Sequence, residues 1–233
     1  MSDGDAVLAE LLAGNERHSN GLADDHFDGV RDAQHPRAVT VCCSDSRVPQ
    51  QGMFGVEEAG GLFTPSTIGN QVWDRVDGER VVEGSLQYPV TYAGTEVAAV
   101  VGHTGCGAVT AALDAVRGEG PAHPPGVRKW VAELEPVVAD GLADERVDPD
   151  REAGLVDQLV EYNVDRQVAF LRDADAFDGV TVYGFVYDFH RTHGGADGRA
   201  YLVNADGETD PAALRERAGE HADHVRRLLA GDG

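Results

Sequence analysis

The stretch AVTVCCSDSRVP, residues 38–49, decides the fold because an apolar β run leads directly into reactive side chains. Residues 38–42 are small or β-branched, which predicts a buried strand, and residues 44–49 have the composition of a turn. Cys43 and Asp45 therefore lie where the strand ends.

A second stretch, EVAAVVGHTGC at residues 96–106, repeats this arrangement. Residues 96–101 form another apolar β run, Gly102 follows it, and His103 and Cys106 come next. The composition of residues 108–117 predicts a helix after them. Both stretches thus place chemically active side chains after the carboxyl end of a strand.

The rest of the chain continues the alternation of strands with helices. Further strands are predicted at 180–186, at 201–203 and, more weakly, at 61–64. Helices are predicted at 6–18, 84–92, 152–174 and 211–230, and loops at 118–126 and 140–150. This order predicts an α/β fold with a mainly parallel sheet flanked by helices, in which ligands bind beyond the carboxyl ends of the strands.

Length and charge limit the functional classes. The 233 residues predict one domain, 1–233, with an N-terminal helical arm at 1–35, a catalytic core at 36–190 and a C-terminal strand and helix at 191–233. The net charge of -22 disfavours nucleic acid as a partner. The excess negative charges repel one another, and molar salt would screen this repulsion, so we expect a salt-adapted protein.

No apolar membrane-spanning run and no signal peptide is recognisable in the sequence. We therefore expect a cytoplasmic protein without a membrane partner.

Three cysteines, two of them adjacent, make a poor disulfide framework and point instead to metal binding. Cys43, His103 and Cys106 offer the thiolate and imidazole ligands that zinc prefers, and three firm protein ligands are typical of a catalytic zinc site. The fourth position falls to water or to Asp45. Cys42 should point away from Cys43 in a strand, which favours a role in core packing.

Arg47 follows Asp45 by two residues and can form a two-bond ion pair with it. That pair would hold the carboxylate away from the metal, where it could accept a hydrogen bond from zinc-bound hydroxide. If the pair broke, Asp45 could become the fourth ligand and close the site. His190 and His193 could form a peripheral metal site or relay protons, but we interpret them as surface residues.

The strings Cys-Ser-Asp-Ser-Arg and Gly-His-x-Gly-Cys-Gly resemble the β-class carbonic anhydrases. Further similar pieces, in the same order along the chain, are residues 12–17, Gln34, Gln87-Tyr88, Asn163-Val164-x-x-Gln167 and Tyr183-Gly184. The resemblance implies one zinc ion per chain and reversible hydration of carbon dioxide to bicarbonate and a proton, with Asp45 and Arg47 as the catalytic pair.

The same resemblance implies a substrate pocket. It places Gln34 and the backbone amide of Gly107 near the substrate oxygen, and Phe63, Ile68 and Tyr88 in an apolar wall. It also implies a homodimer or a higher homo-oligomer with the pocket at a dimer interface, where the N-terminal helix packs on the partner subunit.

The chain departs from this family at Ser66 and Thr67, where relatives have arginine and asparagine, and at Thr40, where bicarbonate-regulated members have tryptophan. The noncatalytic bicarbonate pocket of those members is therefore not expected here. Two alternatives to carbon dioxide hydration stay open: hydrolysis of carbon disulfide or carbonyl sulfide on the same scaffold, and a closed, noncatalytic zinc site in an interaction protein.

Overall fold

The computed structural model describes residues 3–151 and 153–229, and the chain folds around a six-stranded sheet. The helices of these residues, in chain order, are α1 (Asp3–Gly21), α2 (Gln50–Met53), α3 (Gly84–Ala93), α4 (Gly107–Val116), α5 (Pro125–Ala143), α6 (Leu155–Asp173) and α7 (Pro211–Ala218). The strands are β1 (Ala38–Cys43), β2 (Leu62–Phe63), β3 (Ser66–Thr67), β4 (Trp73–Val76), β5 (Glu79–Val82), β6 (Val97–His103), β7 (Thr181–Asp188) and β8 (Arg199–Ala205).

The main sheet has the order β2-β1-β6-β7-β8, with β3 also pairing with β1. All of these pairings are parallel except that between β7 and β8, which is antiparallel. The predicted α/β fold with a mainly parallel sheet and flanking helices is therefore confirmed. Because β1 and β6 are neighbours with Cys42 opposite Val101, the two reactive stretches emerge side by side at one edge.

Hydrophobic residues cover both faces of the sheet. The larger cluster includes Val100, Leu134 and Val203, and helix α6 packs there on β6 and β7. A smaller cluster joins Leu202 to Leu214 of α7. Leu202 and Val203 are consecutive in β8, so they point to opposite faces, and the two clusters lie on opposite sides of the sheet.

Helix α5 was not predicted, and the loop expected at 140–150 begins only after Ala143. The helix starts with Pro125 in its first turn, a position where proline needs no backbone donor. Its buried residues Val131, Leu134 and Val138 recur at helical spacing. The prolines and glycines just before the helix are typical of a loop, which is why the helical spacing of these residues was missed.

The predicted helix at 211–230 is wrong in its second half. Helix α7 ends at Ala218, Gly219 takes a positive φ of 58°, and a 3₁₀ turn follows to His224. Ala230 lies outside the described residues. The hairpin of β4 and β5 was also missed, although Asp77-Gly78, both with positive φ, form the turn expected between such strands.

Helix α1 packs little on the rest of the described chain, since none of its residues is buried. Its apolar stripe consists of Val7, Leu8, Leu11 and Leu12, which are between 54% and 67% exposed. Within residues 3–151 and 153–229, no helix combines the length and apolar character needed to cross a membrane.

Candidate metal centre

Three side chains from the two reactive stretches converge at the carboxyl edge of the sheet. Cys43 is the last residue of β1, His103 is the last residue of β6, and Cys106 immediately precedes α4. Their ligand atoms all lie within 4.8 Å of one another, and all three side chains are buried. Strands β1 and β6 are parallel neighbours and end side by side, so the fold itself brings these three side chains together.

The imidazole of His103 is oriented for metal binding. Its Nδ1 lies 2.9 Å from the carbonyl oxygen of Thr104, to which it can donate, and this assigns the free lone pair to Nε2. Nε2 is fully buried and has no hydrogen-bond partner among the described residues. An unpaired buried nitrogen is costly, and a metal ion would satisfy it.

The two cysteine sulfurs lie 3.8 Å apart. The hydrogen bond with Cys43 and the amides of Val109 and Ala108 at the start of α4 together lower the pKa of Cys106 to about 7 despite its burial. The same contact with Cys106, reinforced by burial, raises the pKa of Cys43. Cys106 is thus the more readily ionised thiol of the pair, mainly through its contact with Cys43 and further through the amides at the start of α4.

Glycine provides the close approach to Cys43. The amide of Gly69 donates to the Cys43 sulfur at 3.4 Å, and Gly69 has a φ of 72°. A Cβ at this position would lie 2.6 Å from Cδ1 of Leu134. Both the backbone conformation and the space therefore require glycine here.

Asp45 lies beside these ligands and is fixed by Arg47. The guanidinium donates from Nε to Oδ1 at 2.8 Å and from Nη2 to Oδ2 at 2.7 Å. These hydrogen bonds hold the pKa of Asp45 well below its usual range. Oδ2 lies 3.6 Å from Nε2 of His103, so the carboxylate faces the metal-binding position.

Comparison with known proteins agrees with this geometry. The family model described as carbonic anhydrase matches residues 38–194. Carbonic anhydrase 2 of Mycobacterium tuberculosis is 33% identical over 174 residues, which cover 71% of this chain and 76% of the relative. The chain belongs to the β-class carbonic anhydrase family. The carbonic anhydrase of Pseudomonas aeruginosa is 32% identical over 173 residues, covering 70% of this chain and 73% of the relative.

The fold agrees with that of solved β-carbonic anhydrases. The Coccomyxa β-carbonic anhydrase, solved in complex with acetazolamide, superimposes with a TM-score of 0.67 at 22% identity, over 98% of this chain and 95% of that chain. This likeness establishes the common fold.

The residues expected in the pocket of this carbonic anhydrase differ in their exposure and in their neighbours. Phe63 stacks on Tyr88 with ring centroids 6.0 Å apart, and Tyr88 is 49% exposed. Ile68 is half-buried next to Gly69, and Gly107 opens α4 with free space around its Cα. Gln34 is exposed and lines a hollow with Phe27 and Gly60, and none of the three ligands lines that hollow.

Thr40 and Ser66, two of the positions singled out in the sequence, are linked through Gln50. Thr40 donates to Gln50 Oε1 at 2.8 Å, and Gln50 Nε2 donates to the hydroxyl of Ser66 at 2.7 Å. Gln50 also donates to the carbonyl of Pro65. Polar side chains of the protein itself therefore satisfy one another at Thr40 and Ser66.

Phe189 is a site residue that the sequence analysis missed. Its ring stacks on His103, with centroids 5.6 Å apart, and the guanidinium of Arg47 lies 4.5 Å from its centroid. It thereby connects a metal ligand with the residue that holds Asp45. Its position just beyond β7, the neighbour of β6, is the signal that could have found it, because His103 pairs with Tyr187.

The interpretation of both histidines beyond β7 as surface residues is wrong for one of them. His190 is exposed, but His193 is buried at 4% exposure, with its ring stacked on that of Tyr201. The loop after β7 turns back into the protein because Asp188 accepts hydrogen bonds from the amides of His190, Thr192 and His193.

Proposed function

We propose that this chain is a zinc enzyme that hydrates carbon dioxide reversibly to bicarbonate and a proton. The observation that carries the proposal is the unpartnered Nε2 of His103, which lies with two cysteine sulfurs beside a carboxylate that Arg47 holds in place. A binding site for catalysis needs ligands and an adjacent acceptor, and both are present here.

The donor set fits zinc. Cys43, Cys106 and His103 supply two sulfurs and one nitrogen, a combination that favours zinc over magnesium or calcium. When bound, zinc supplies Lewis acidity that lowers the pKa of a water molecule towards neutrality. Gly69 and Thr104 orient the sulfur of Cys43 and the ring of His103 through their backbone groups.

Asp45 is the acceptor that orients the attacking water. Its Oδ2 faces the metal-binding position, so the carboxylate would accept a hydrogen bond from a water molecule there and orient it for attack on the substrate. Arg47 prevents Asp45 from moving in as a fourth ligand. The stacked Phe63 and Tyr88, with Ile68 nearby, would form the apolar wall against which carbon dioxide lies, and the amide of Gly107 would donate to its oxygen.

The assembly we propose is a homodimer or a higher homo-oligomer. The apolar stripe of α1 stays more than half exposed among the described residues, which supports packing on a partner subunit. The hollow that Gln34 lines contains none of the metal ligands of its own chain, and this placement fits a pocket to which two copies contribute.

A substrate comparison tests the proposed reaction. Zinc-loaded protein is mixed in a stopped-flow instrument with carbon dioxide, and separately with carbon disulfide and carbonyl sulfide, in buffered potassium chloride. We expect hydration of carbon dioxide to be the fastest reaction by far. Faster turnover of either sulfur compound would contradict the proposal, as would zinc-loaded protein that turns over none of the three.

A further inference from the structure

A buried ionic cluster connects the end of the chain to helix α6. Arg227 is only 2% exposed, and its Nε lies 3.0 Å from Oε1 of Glu161. Its Nη2 donates to Oδ2 of Asp165 at 2.7 Å. Glu161 is fully buried and Asp165 is 11% exposed, so a guanidinium is required to compensate their charges.

The backbone around Arg227 is held in the same place. The amide of Leu228 donates to Oε2 of Glu161 at 2.7 Å, and the carbonyl of Leu228 accepts a hydrogen bond from Arg151 at 2.7 Å. Val225 and Leu229 are buried on either side. We call residues 225–229 the C-terminal strap.

His193 lies between the strap and the loop after β7. Its Nε2 is 3.7 Å from Oε2 of Glu161, and its Nδ1 is 3.5 Å from Oδ2 of Asp188. Arg226 of the strap donates to the carbonyl of His193 at 2.7 Å. The histidine ring therefore fills the space between two buried carboxylates, one facing the strap and the other facing the metal centre.

Asp188 completes the connection to the metal ligands. The hydroxyl of Thr104 donates to Oδ1 of Asp188 at 3.3 Å, and this hydroxyl also accepts from the amide of Phe189. Asp157 accepts from the amide of Gly105 at 2.7 Å. Thr104 and Gly105 are the residues between His103 and Cys106, so these contacts determine the relative position of two ligands.

We propose that the C-terminal strap positions the metal-ligand loop, through Arg227, Glu161, His193 and Asp188. The proposal rests on zinc being the metal of the site. The strap follows residues 38–194, the region that the family model matches. Arg227 is a positioning residue, because it acts on His103 and Cys106 only through the groups between them.

Zinc affinity of strap variants tests this inference. Arg227→Met and a matched core variant, Leu214→Ala, are compared with wild type by competition with a chromogenic chelator, and unfolding is measured for each. The cobalt-substituted proteins give a second readout, the visible spectrum of the ligand set. We expect Arg227→Met to lower metal affinity by about tenfold and to alter the cobalt spectrum. Leu214→Ala should do neither, because Leu214 shares the smaller hydrophobic cluster with Val225 of the strap but makes none of the polar contacts that connect Arg227 to Thr104.

Two further variants keep the test decisive if Arg227→Met fails to fold. Arg227→Lys keeps the charge but loses the two-bond geometry, and Thr104→Val removes the hydroxyl at the other end of the connection. We expect both to weaken zinc binding, and we expect their double variant to show less than the sum of the single effects. Additive effects, or affinity losses no larger than that of Leu214→Ala, would overturn the role of the strap. Wild-type protein that binds no zinc would overturn the proposed function together with it.

Discussion

Arg47 donates three hydrogen bonds to Asp45: from its backbone amide to Oδ1 at 2.9 Å, from Nε to Oδ1 at 2.8 Å and from Nη2 to Oδ2 at 2.7 Å. Charged pairs joined by two hydrogen bonds are strong, and they also fix the orientation of the carboxylate. Asp45 faces Nε2 of His103 at 3.6 Å and is nevertheless engaged with Arg47. Both carboxylate oxygens of Asp45 are therefore engaged by Arg47 while the carboxylate lies beside the metal-binding position.

Gly69→Ala should destabilise the protein and weaken metal binding. The positive φ costs about 1–2 kcal/mol for a residue with a Cβ, and the contact with Leu134 adds about 1–3 kcal/mol of overpacking. The shifted amide would also lose its hydrogen bond to Cys43. Denaturant unfolding and zinc competition measure the two effects.

Gly118→Ala is the matched control for Gly69→Ala. Gly118 has a φ of 73°, but nothing lies within 4 Å of a Cβ there. We expect Gly118→Ala to lower the free energy of unfolding by the backbone cost alone and to leave the zinc affinity unchanged. Equal losses of stability in the two variants would show that the space next to Leu134 is not limiting.

Leu11→Asp should separate the subunits without unfolding them. Leu11 is 67% exposed in the single chain, so a charge there costs little in the subunit itself and much in an apolar interface. Light scattering measures the mass, and Ala13→Asp, on the opposite face of α1, should leave it unchanged. A mass that Leu11→Asp does not alter would place the interface elsewhere.

Asp144→Asn should remove a small, pH-dependent part of the stability. The Arg146 guanidinium beside Asp144 lowers the pKa of that carboxyl from 3.8 to about 2. A pKa lowered by folding contributes stability above 3.8 that is lost as the pH falls towards 2. The pair is partly solvated, so we expect a difference below about 1 kcal/mol at neutral pH.

Urea unfolding of wild type and Asp144→Asn from neutral pH downwards measures this contribution. The difference between them should be constant near neutrality and shrink below the ordinary carboxyl pKa. Glu145→Gln, at an exposed neighbour, is the control. A difference that grows on acidification would contradict the assigned sign.

Added potassium chloride should stabilise the protein. At a net charge of -22, carboxylates repel one another over about 10 Å at 0.1 M salt and over about 3 Å at 1 M. We therefore expect the melting temperature to rise between these concentrations, and to rise equally with sodium chloride. A melting temperature that is unchanged or lower at 1 M would contradict the salt adaptation inferred from the composition.

The sequence was sufficient for the parts of the site that depend on strand order. Neighbouring parallel strands must end at the same edge of a sheet, so the convergence of Cys43, His103 and Cys106 could be predicted. The pairing of Asp45 with Arg47 could be predicted from their spacing alone. The contact of Gly69 with Cys43 depends instead on a turn far along the chain, and no local pattern predicts it.

Long-range polar contacts explain why the surroundings of His193 and Arg227 were predicted wrongly. His193 looked like a surface residue because it follows a strand among polar neighbours, yet Asp188 and Glu161 surround it only in the folded protein. Arg227 likewise belonged to a predicted helix, and its true partners are 62 and 66 residues earlier in the chain. Burial of charged groups depends on tertiary partners, which periodicity does not reveal.

The most direct test measures carbon dioxide hydration and zinc content on the same samples of wild type and Asp45→Asn, with Asp197→Asn as the control. Asp197 forms the same kind of two-bond pair with Arg191, on the exposed surface. The account predicts one zinc per chain in all three, with turnover by wild type and Asp197→Asn and a loss of about a hundredfold or more in Asp45→Asn. Zinc-loaded wild type without turnover, or Asp45→Asn as fast as wild type, would contradict it.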